Sequence, residues 1–186
     1  MRRTVGSWSA LLAAGAIYAV AALAQAVDTA GSSVNAVFTQ MGVPVTAKFK
    51  RFDAEVNFDP AAPGGAKARF EVDVASFDLG DAQYNKEVLK PEWFNAAAYP
   101  KASFSSSAIE APAPGKLVVA GTLTIKGKSQ TVKVPVNYRD ENGRRVFEGE
   151  LPIQRLYFAI GEGEWKDTDM VADKVVIKFK IATAAG

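Results

Sequence analysis

Cysteine and histidine are both missing from the 186-residue chain. Without cysteine there is no disulfide, no thiol nucleophile and no attachment point for a lipoprotein anchor. Without histidine the usual general base at neutral pH is gone, together with the main zinc ligand. Serines remain, among them Ser103, Ser105, Ser106 and Ser107. None sits in a Gly-x-Ser-x-Gly elbow, and there is no histidine to activate one. The Ser105-Ser106-Ser107 run reads instead as the end of a strand.

Long apolar runs are also scarce. The one that exists, Trp8 to Leu23, follows Met1-Arg2-Arg3 and precedes the small-x-small sequence Ala24-Gln25-Ala26. At ~16 residues it is short of the ~20 that span a bilayer, and a cleavage-type site follows at once. Residues 1–26 are therefore expected to be a cleaved secretory signal peptide; an uncleaved anchor is the alternative. The residues around Arg2-Arg3 do not fit twin-arginine export. Residues 27–186 form the expected mature domain, in the periplasm.

A surplus of one charge is missing as well. Loss of Arg2 and Arg3 brings the 22 Lys and Arg level with the 20 Asp and Glu. A neutral mature chain gives no electrostatic case for nucleic acid, and it lacks the polybasic run that anionic membranes attract. A chain of this length buries ~68–70% of its unfolded surface, enough for one core without staples.

What is present is alternation at period two. Val34, Ala36 and Phe38 share one face, then Val43, Val45, Ala47 and Phe49. The phase slips, and Phe52, Ala54, Val56 and Phe58 take over. Such a slip predicts a bulge or sharp bend in a long strand. Ala68, Phe70, Val72 and Val74 alternate with Lys67, Arg69, Glu71 and Asp73. Further sets run through Ala102–Ala108, Leu117–Ile125, Val132–Tyr138, Phe147–Ile153 and Val175–Ile181, with turn residues between them. About eight strands so spaced predict an all-β sandwich or barrel. An eight-stranded antiparallel barrel removes exposed edges and encloses room for side chains or one small ligand. Asp81 to Lys90 departs from this pattern: Tyr84, Val88 and Leu89 recur at helical spacing before Pro91. A short helix is expected there, with Trp93 and Phe94 covering one opening of the barrel or sealing the core.

Two features bear on binding. Arg155 shares the phase of Phe147, Leu151, Ile153 and Tyr157, so its guanidinium is expected to point inward. Buried charge needs a partner. An acid or backbone carbonyls would make Arg155 structural; an anionic or polar head group would make it a ligand contact. Phe158 and Ile160 are apolar on the opposite parity, which a bulge near Leu156-Tyr157 would reconcile. The aromatics are numerous for a small barrel and either line an apolar tunnel or are ordinary core. The candidate lining set is Phe70, Tyr84, Trp93, Phe94, Phe104, Leu123, Ile125, Phe147, Arg155, Phe158, Trp165 and Phe179. The acids Glu162, Glu164, Asp167 and Asp169 do not follow an EF-hand spacing and read as a solvated loop; a glycosidase pair is the sharper alternative.

The order of several blocks carries a resemblance. Trp93-Phe94-Asn95 leads to Tyr99-Pro100-Lys101-Ala102-Ser103-Phe104-Ser105-Ser106. Gly121-Thr122-Leu123-Thr124-Ile125-Lys126-Gly127 follows, then Arg155-Leu156-Tyr157-Phe158-Ala159-Ile160-Gly161. In this order they resemble the YceI family of lipocalin-like lipid-binding proteins, over nearly all of Val27 to Ile181. Ala159 stands where that family often has glycine, and Tyr84–Lys90 lacks its Arg-Asp-x-His-Leu-type run. The resemblance implies an eight-stranded lipocalin-like barrel with an elongated apolar cavity, a polyisoprenoid or similar long-chain amphiphile as ligand, and a periplasmic location. No metal or other cofactor is implied. The Thr39–Val45 segment and the Gly161–Trp165 loop are similar to a subgroup found near membrane cytochromes of the b561 type, which implies a quinone-related role. A lipid carrier is thus the leading expectation. An interaction module serving such a cytochrome, docking through Trp93-Phe94, is the second, and a lipid-modifying enzyme the third. A homodimer is left open.

Overall fold

The computed structural model describes residues 27–184; the expected signal peptide lies outside them. The strands are β1 (Val27–Gln40), β2 (Val43–Phe49), β3 (Phe52–Asn57), β4 (Lys67–Asp73) and β5 (Phe77–Asp78), then β6 (Lys101–Ala113), β7 (Lys116–Ile125), β8 (Lys128–Glu141), β9 (Arg144–Gln154) and β10 (Val171–Ala184). They form one antiparallel sheet in the order β3-β4-β6-β7-β8-β9-β10-β1-β2-β5. One short helix, α1 (Ala82–Glu87), lies between β5 and β6.

The phase slip expected after Phe49 is real and shapes the molecule. Up to Phe49 the chain pairs with β1; from Phe52 it pairs with β4, the other end of the sheet. A single bent stretch therefore supplies one strand near each edge, and the sheet must curl to join them. Ser76, buried at the bend, braces it. Its hydroxyl accepts from Arg51 N at 2.9 Å and donates to Asp73 O at 2.7 Å, while Asp73 N donates to Arg51 O at 3.0 Å.

The fold is thus an all-β curled half-barrel of ten hydrogen-bonded segments, rather than the closed ring of eight strands expected. The difference has a local cause. The bend splits one alternating stretch into β2 and β3, whose pairing partners differ, and the two-residue β5 adds a tenth segment beyond β2. Among the described residues the ladder ends on β3 and β5.

Inward residues of each strand build the core: Val34 and Ala36 of β1, Leu117, Val119, Leu123 and Ile125 of β7, Val134 and Val136 of β8, Leu151 and Ile153 of β9. Their outward neighbours carry the charge, and several pair across strands, such as Arg139 with Glu148 and Lys178 with Glu150. Exposed pairs of this kind contribute ~0–1 kcal/mol each, so burial carries the stability.

The helix begins where expected. Asp81 caps it, its carboxylate accepting from Gln83 N at 2.8 Å and Tyr84 N at 3.0 Å. It stops at Glu87, short of the predicted Lys90, because Val88 to Asn95 fold into successive turns ahead of and around Pro91, where a helix is disfavoured. Tyr84 lies on the outer side of this short helix and is 59% exposed, while Val88 is buried.

Candidate functional site: an apolar cavity under a braced lid

The curled sheet encloses a cavity of about 150 Å³ whose exposed wall is apolar. Seven of the expected residues border it: Phe70 from β4, Phe104 from β6, Leu123 and Ile125 from β7, Phe147 from β9, Phe179 from β10, and Phe94 from the segment after α1. Period-two alternation brings the strand residues inward; Phe94 arrives because the turns after α1 fold back over the end of the sheet.

Sequence reasoning missed much of the wall. Val134 and Val136 of β8, Ile109 and Leu117 beside the far turn, and Phe49, Phe52 and Phe58 on either side of the bend also line the cavity. All but Ile109 were legible as inward-phase residues; Ile109 lies on the opposite parity to Ala102–Ala108 and turns inward because the register of β6 shifts between Ser106 and Ala108. What the sequence could not show is which inward residues face empty space and which face one another.

Five expected residues lie elsewhere. Tyr84 is on the surface. Phe158 is fully buried, its ring edge-on to Tyr157 at 5.0 Å. Trp93 and Trp165 pack together at 5.3 Å, outside the cavity wall. Arg155 is 2% exposed and also off the wall.

The Arg155 guanidinium is held by backbone carbonyls, one of the partner sets foreseen. Its Nη1 donates to Ile160 O at 2.8 Å and Gly161 O at 3.2 Å, and its Nη2 to Trp165 O and Val171 O, both at 2.7 Å. Nε donates to Ala172 O at 3.2 Å. Burial lowers its pKa from the ordinary arginine value, while Asp173 acts in the opposite direction. With every nitrogen engaged by carbonyls, the guanidinium has no donor turned to the cavity. It fixes the loop geometry instead. The strand β9 ends at Gln154, and Arg155–Phe158 form a 3-10 turn rather than the expected bulge. That turn ends on Ala159, in the left-handed conformation at φ 55°.

Lys126 supplies a second brace. From the turn between β7 and β8 its buried ammonium donates to Pro91 O at 2.7 Å, Ala159 O at 2.6 Å and Glu162 Oε2 at 3.0 Å. Lys126 holds the Glu162 carboxyl below the usual glutamate range. Gly161 N and Glu162 N both donate to Glu92 O at 2.8 Å. The segments carrying Phe94 and Phe158 are thereby locked together as a lid. Two of the four acids of this loop are engaged locally: Glu162 by Lys126, and Asp167 by the amide of Asp169 at 2.9 Å. Among the described residues no three such side chains gather as metal ligands.

The far end closes differently. Arg145 pairs bidentately with Asp140 at 2.7 and 2.9 Å and lies over the Phe58 ring at 5.6 Å. Phe58, Tyr138 and Phe147 pack edge to face beneath it.

A family profile described as "YceI-like domain" matches residues 25–183. The chain belongs to the YceI-like family. Among solved structures it is similar to BcnA of Burkholderia cenocepacia, with 50% identity and a TM-score of 0.83 over 85% of this chain and 99% of that one. A polyisoprenoid binding domain from Saccharophagus degradans shares the fold, with a TM-score of 0.70 at 19% identity over 88% of this chain and 99% of that one. A curated relative, a UPF0312 protein of Shewanella oneidensis, is 30% identical over 132 residues, 68% of this chain and 69% of that protein. The matched region of this YceI-like protein contains the whole of the apolar cavity and the lid above it.

Proposed function

We propose that this YceI-like protein is an exported, periplasmic carrier that binds the apolar tail of a long-chain amphiphile, of polyisoprenoid, quinone-like or fatty type, inside its curled sheet. The observation that carries the reading is the cavity of about 150 Å³ with a wholly apolar exposed wall. An apolar cavity of that size stays dry and accepts a benzene-sized group, comparable to one isoprene unit. Each methylene transferred from water adds ~0.8 kcal/mol, so a tail that extends along the interior gains affinity with length. The polyisoprenoid-binding domain of the same fold supports the ligand class, and the absence of histidine and cysteine favours binding over catalysis. Because the guanidinium of Arg155 is spent on carbonyls, the head group is left to the lid surface or to solvent.

The wall also argues against the cytochrome-docking reading in its expected form. Phe94 faces the cavity and Trp93 packs at a tilt against Trp165, so Trp93 and Phe94 do not form a shared outward patch.

The test is native mass spectrometry of delipidated mature protein mixed with geranylgeraniol. A one-to-one complex is expected, and Val134→Phe, which fills the cavity from β8, should abolish it while the folded charge-state pattern persists. No complex with the unsubstituted protein, or equal uptake by the filled variant, would overturn the reading.

A further inference from the structure

Two positions on the inward phase of the strands are glycine where their neighbours are large. Gly121 is in phase with Leu117, Val119, Leu123 and Ile125 of β7; Gly149 is in phase with Phe147, Leu151 and Ile153 of β9. Each is covered by a phenylalanine ring from the adjoining strand. A Cβ on Gly121 would lie 2.5 Å from Cζ of Phe104, and a Cβ on Gly149 would lie 2.5 Å from Cζ of Phe179. No real side chain tolerates such a distance, so the two rings occupy space that only glycine leaves.

Phe70 stands between them, 6.3 Å from Phe104 and 6.2 Å from Phe179. The first contact joins neighbouring strands. The second joins β4 to β10, which are not neighbours in the sheet, so it crosses the interior. The result is a band of three rings, seated at both ends on bare backbone. All three border the cavity and remain only partly buried, and Phe179 also borders a more polar groove beside Gly149. The cavity extends past the band in both directions, with Phe94 and Ile125 on its lid side and Leu117 and Phe147 on the far side.

We propose that the Phe104–Phe70–Phe179 band, seated on Gly121 and Gly149, is the selectivity filter of the cavity: it admits a single flexible apolar chain and rejects fused-ring lipids. This rests on the cavity being the lipid site. A cavity of about 150 Å³ takes a benzene-sized group, which a flexible chain presents one unit at a time and a fused four-ring skeleton does not. A longer chain passes as the rings turn one after another, whereas a rigid fused-ring skeleton needs the whole width at once. The glycines matter because a side chain there would meet Phe104 or Phe179, and also the carbonyl of Ser105 or of Pro135, so the rings could not keep these seats.

The experiment compares binding of geranylgeraniol and of cholesterol, each by native mass spectrometry and by displacement of a fluorescent fatty acid. The unsubstituted protein is expected to prefer geranylgeraniol by about ten-fold or more, the scale on which pocket width discriminates. Phe179→Ala and Phe70→Ala should erase most of that preference by gaining cholesterol. Phe179→Leu, which keeps more of the core volume, should move the ratio in the same direction by a smaller factor and guards against a variant that fails to fold. A preference unchanged in these variants, or cholesterol bound as well as geranylgeraniol by the unsubstituted protein, overturns the filter but leaves the lipid-carrier reading standing. Binding of neither probe overturns both.

Discussion

Arg155 Nη2 donates to the carbonyl of Val171 at 2.7 Å, tying the 3-10 turn that follows β9 to the first residue of β10. The same guanidinium reaches four further carbonyls, so one side chain organises the whole connection from residue 155 to residue 172. Arginine suits this place because its planar fork presents five donors in fixed directions. The charge is stabilised by carbonyl dipoles and not by a carboxylate in contact.

Truncating this side chain should be costly. Arg155→Ala removes the donors and leaves buried acceptors unpaired, at ~1–3 kcal/mol for each that water does not reach. A loss of about 3–5 kcal/mol is expected, the sum of a few such unpaired acceptors. Arg155→Lys should lose less but still more than ~1 kcal/mol, since an ammonium has three donors and no fork. Urea unfolding at neutral pH measures both. Lipid affinity of the folded Lys variant should be unchanged, because the guanidinium has no donor turned to the cavity; a large loss there would show a head-group role.

Ala159 holds φ 55°, ψ 34° at the end of the same turn. A Cβ in the left-handed region costs ~1–2 kcal/mol, partly offset in any glycine replacement by the greater freedom of the unfolded chain. Ala159→Gly should therefore raise stability by about 0.5–1 kcal/mol, read as a higher urea midpoint with an unchanged slope. A lower midpoint would mean that the methyl group contributes packing that outweighs the strain.

Acid should act locally near the start of α1. Asp78 accepts from Lys50 at 2.6 Å, from Asn85 Nδ2 at 2.7 Å and from Gly80 N at 3.1 Å. These contacts, Lys50 foremost, hold its carboxyl down to a pKa of about 2. The folded value is depressed, so the contribution is fully present above the unfolded value of ~3.9 and is lost as pH falls toward the folded one. Amides of Leu79 and α1 should lose hydrogen-exchange protection between about pH 4 and pH 2. In Asp78→Asn this pH dependence should vanish. Protection that falls only together with the central strands would contradict a local role for Asp78.

The inward face of nearly every strand was legible in the sequence, because period-two burial writes itself directly into the alternation of apolar and charged residues. The bend after Phe49 was legible for the same reason, as a change of phase. The helix start was fixed by the Asp81 cap, a local interaction. Within the site, Phe70, Phe104, Leu123, Ile125, Phe147 and Phe179 follow from strand phase alone.

The tertiary structure decided what phase cannot encode. Whether an inward aromatic meets space or another ring depends on strands far apart in sequence, as Phe70 and Phe179 show. The fate of Arg155 depended on loop carbonyls that converge only once β10 has returned beside β9. Trp93 and Trp165, read as lining residues, were drawn into a lid whose shape is set by Lys126 and the Glu92 carbonyl. The ten-segment half-barrel also emerged only in three dimensions: a change of phase marks where a strand bends, but the choice of β1 and β4 as partners on either side comes from long-range hydrogen bonding. Local alternation determined which residues point inward; the curl of the sheet determined where a cavity remains among them.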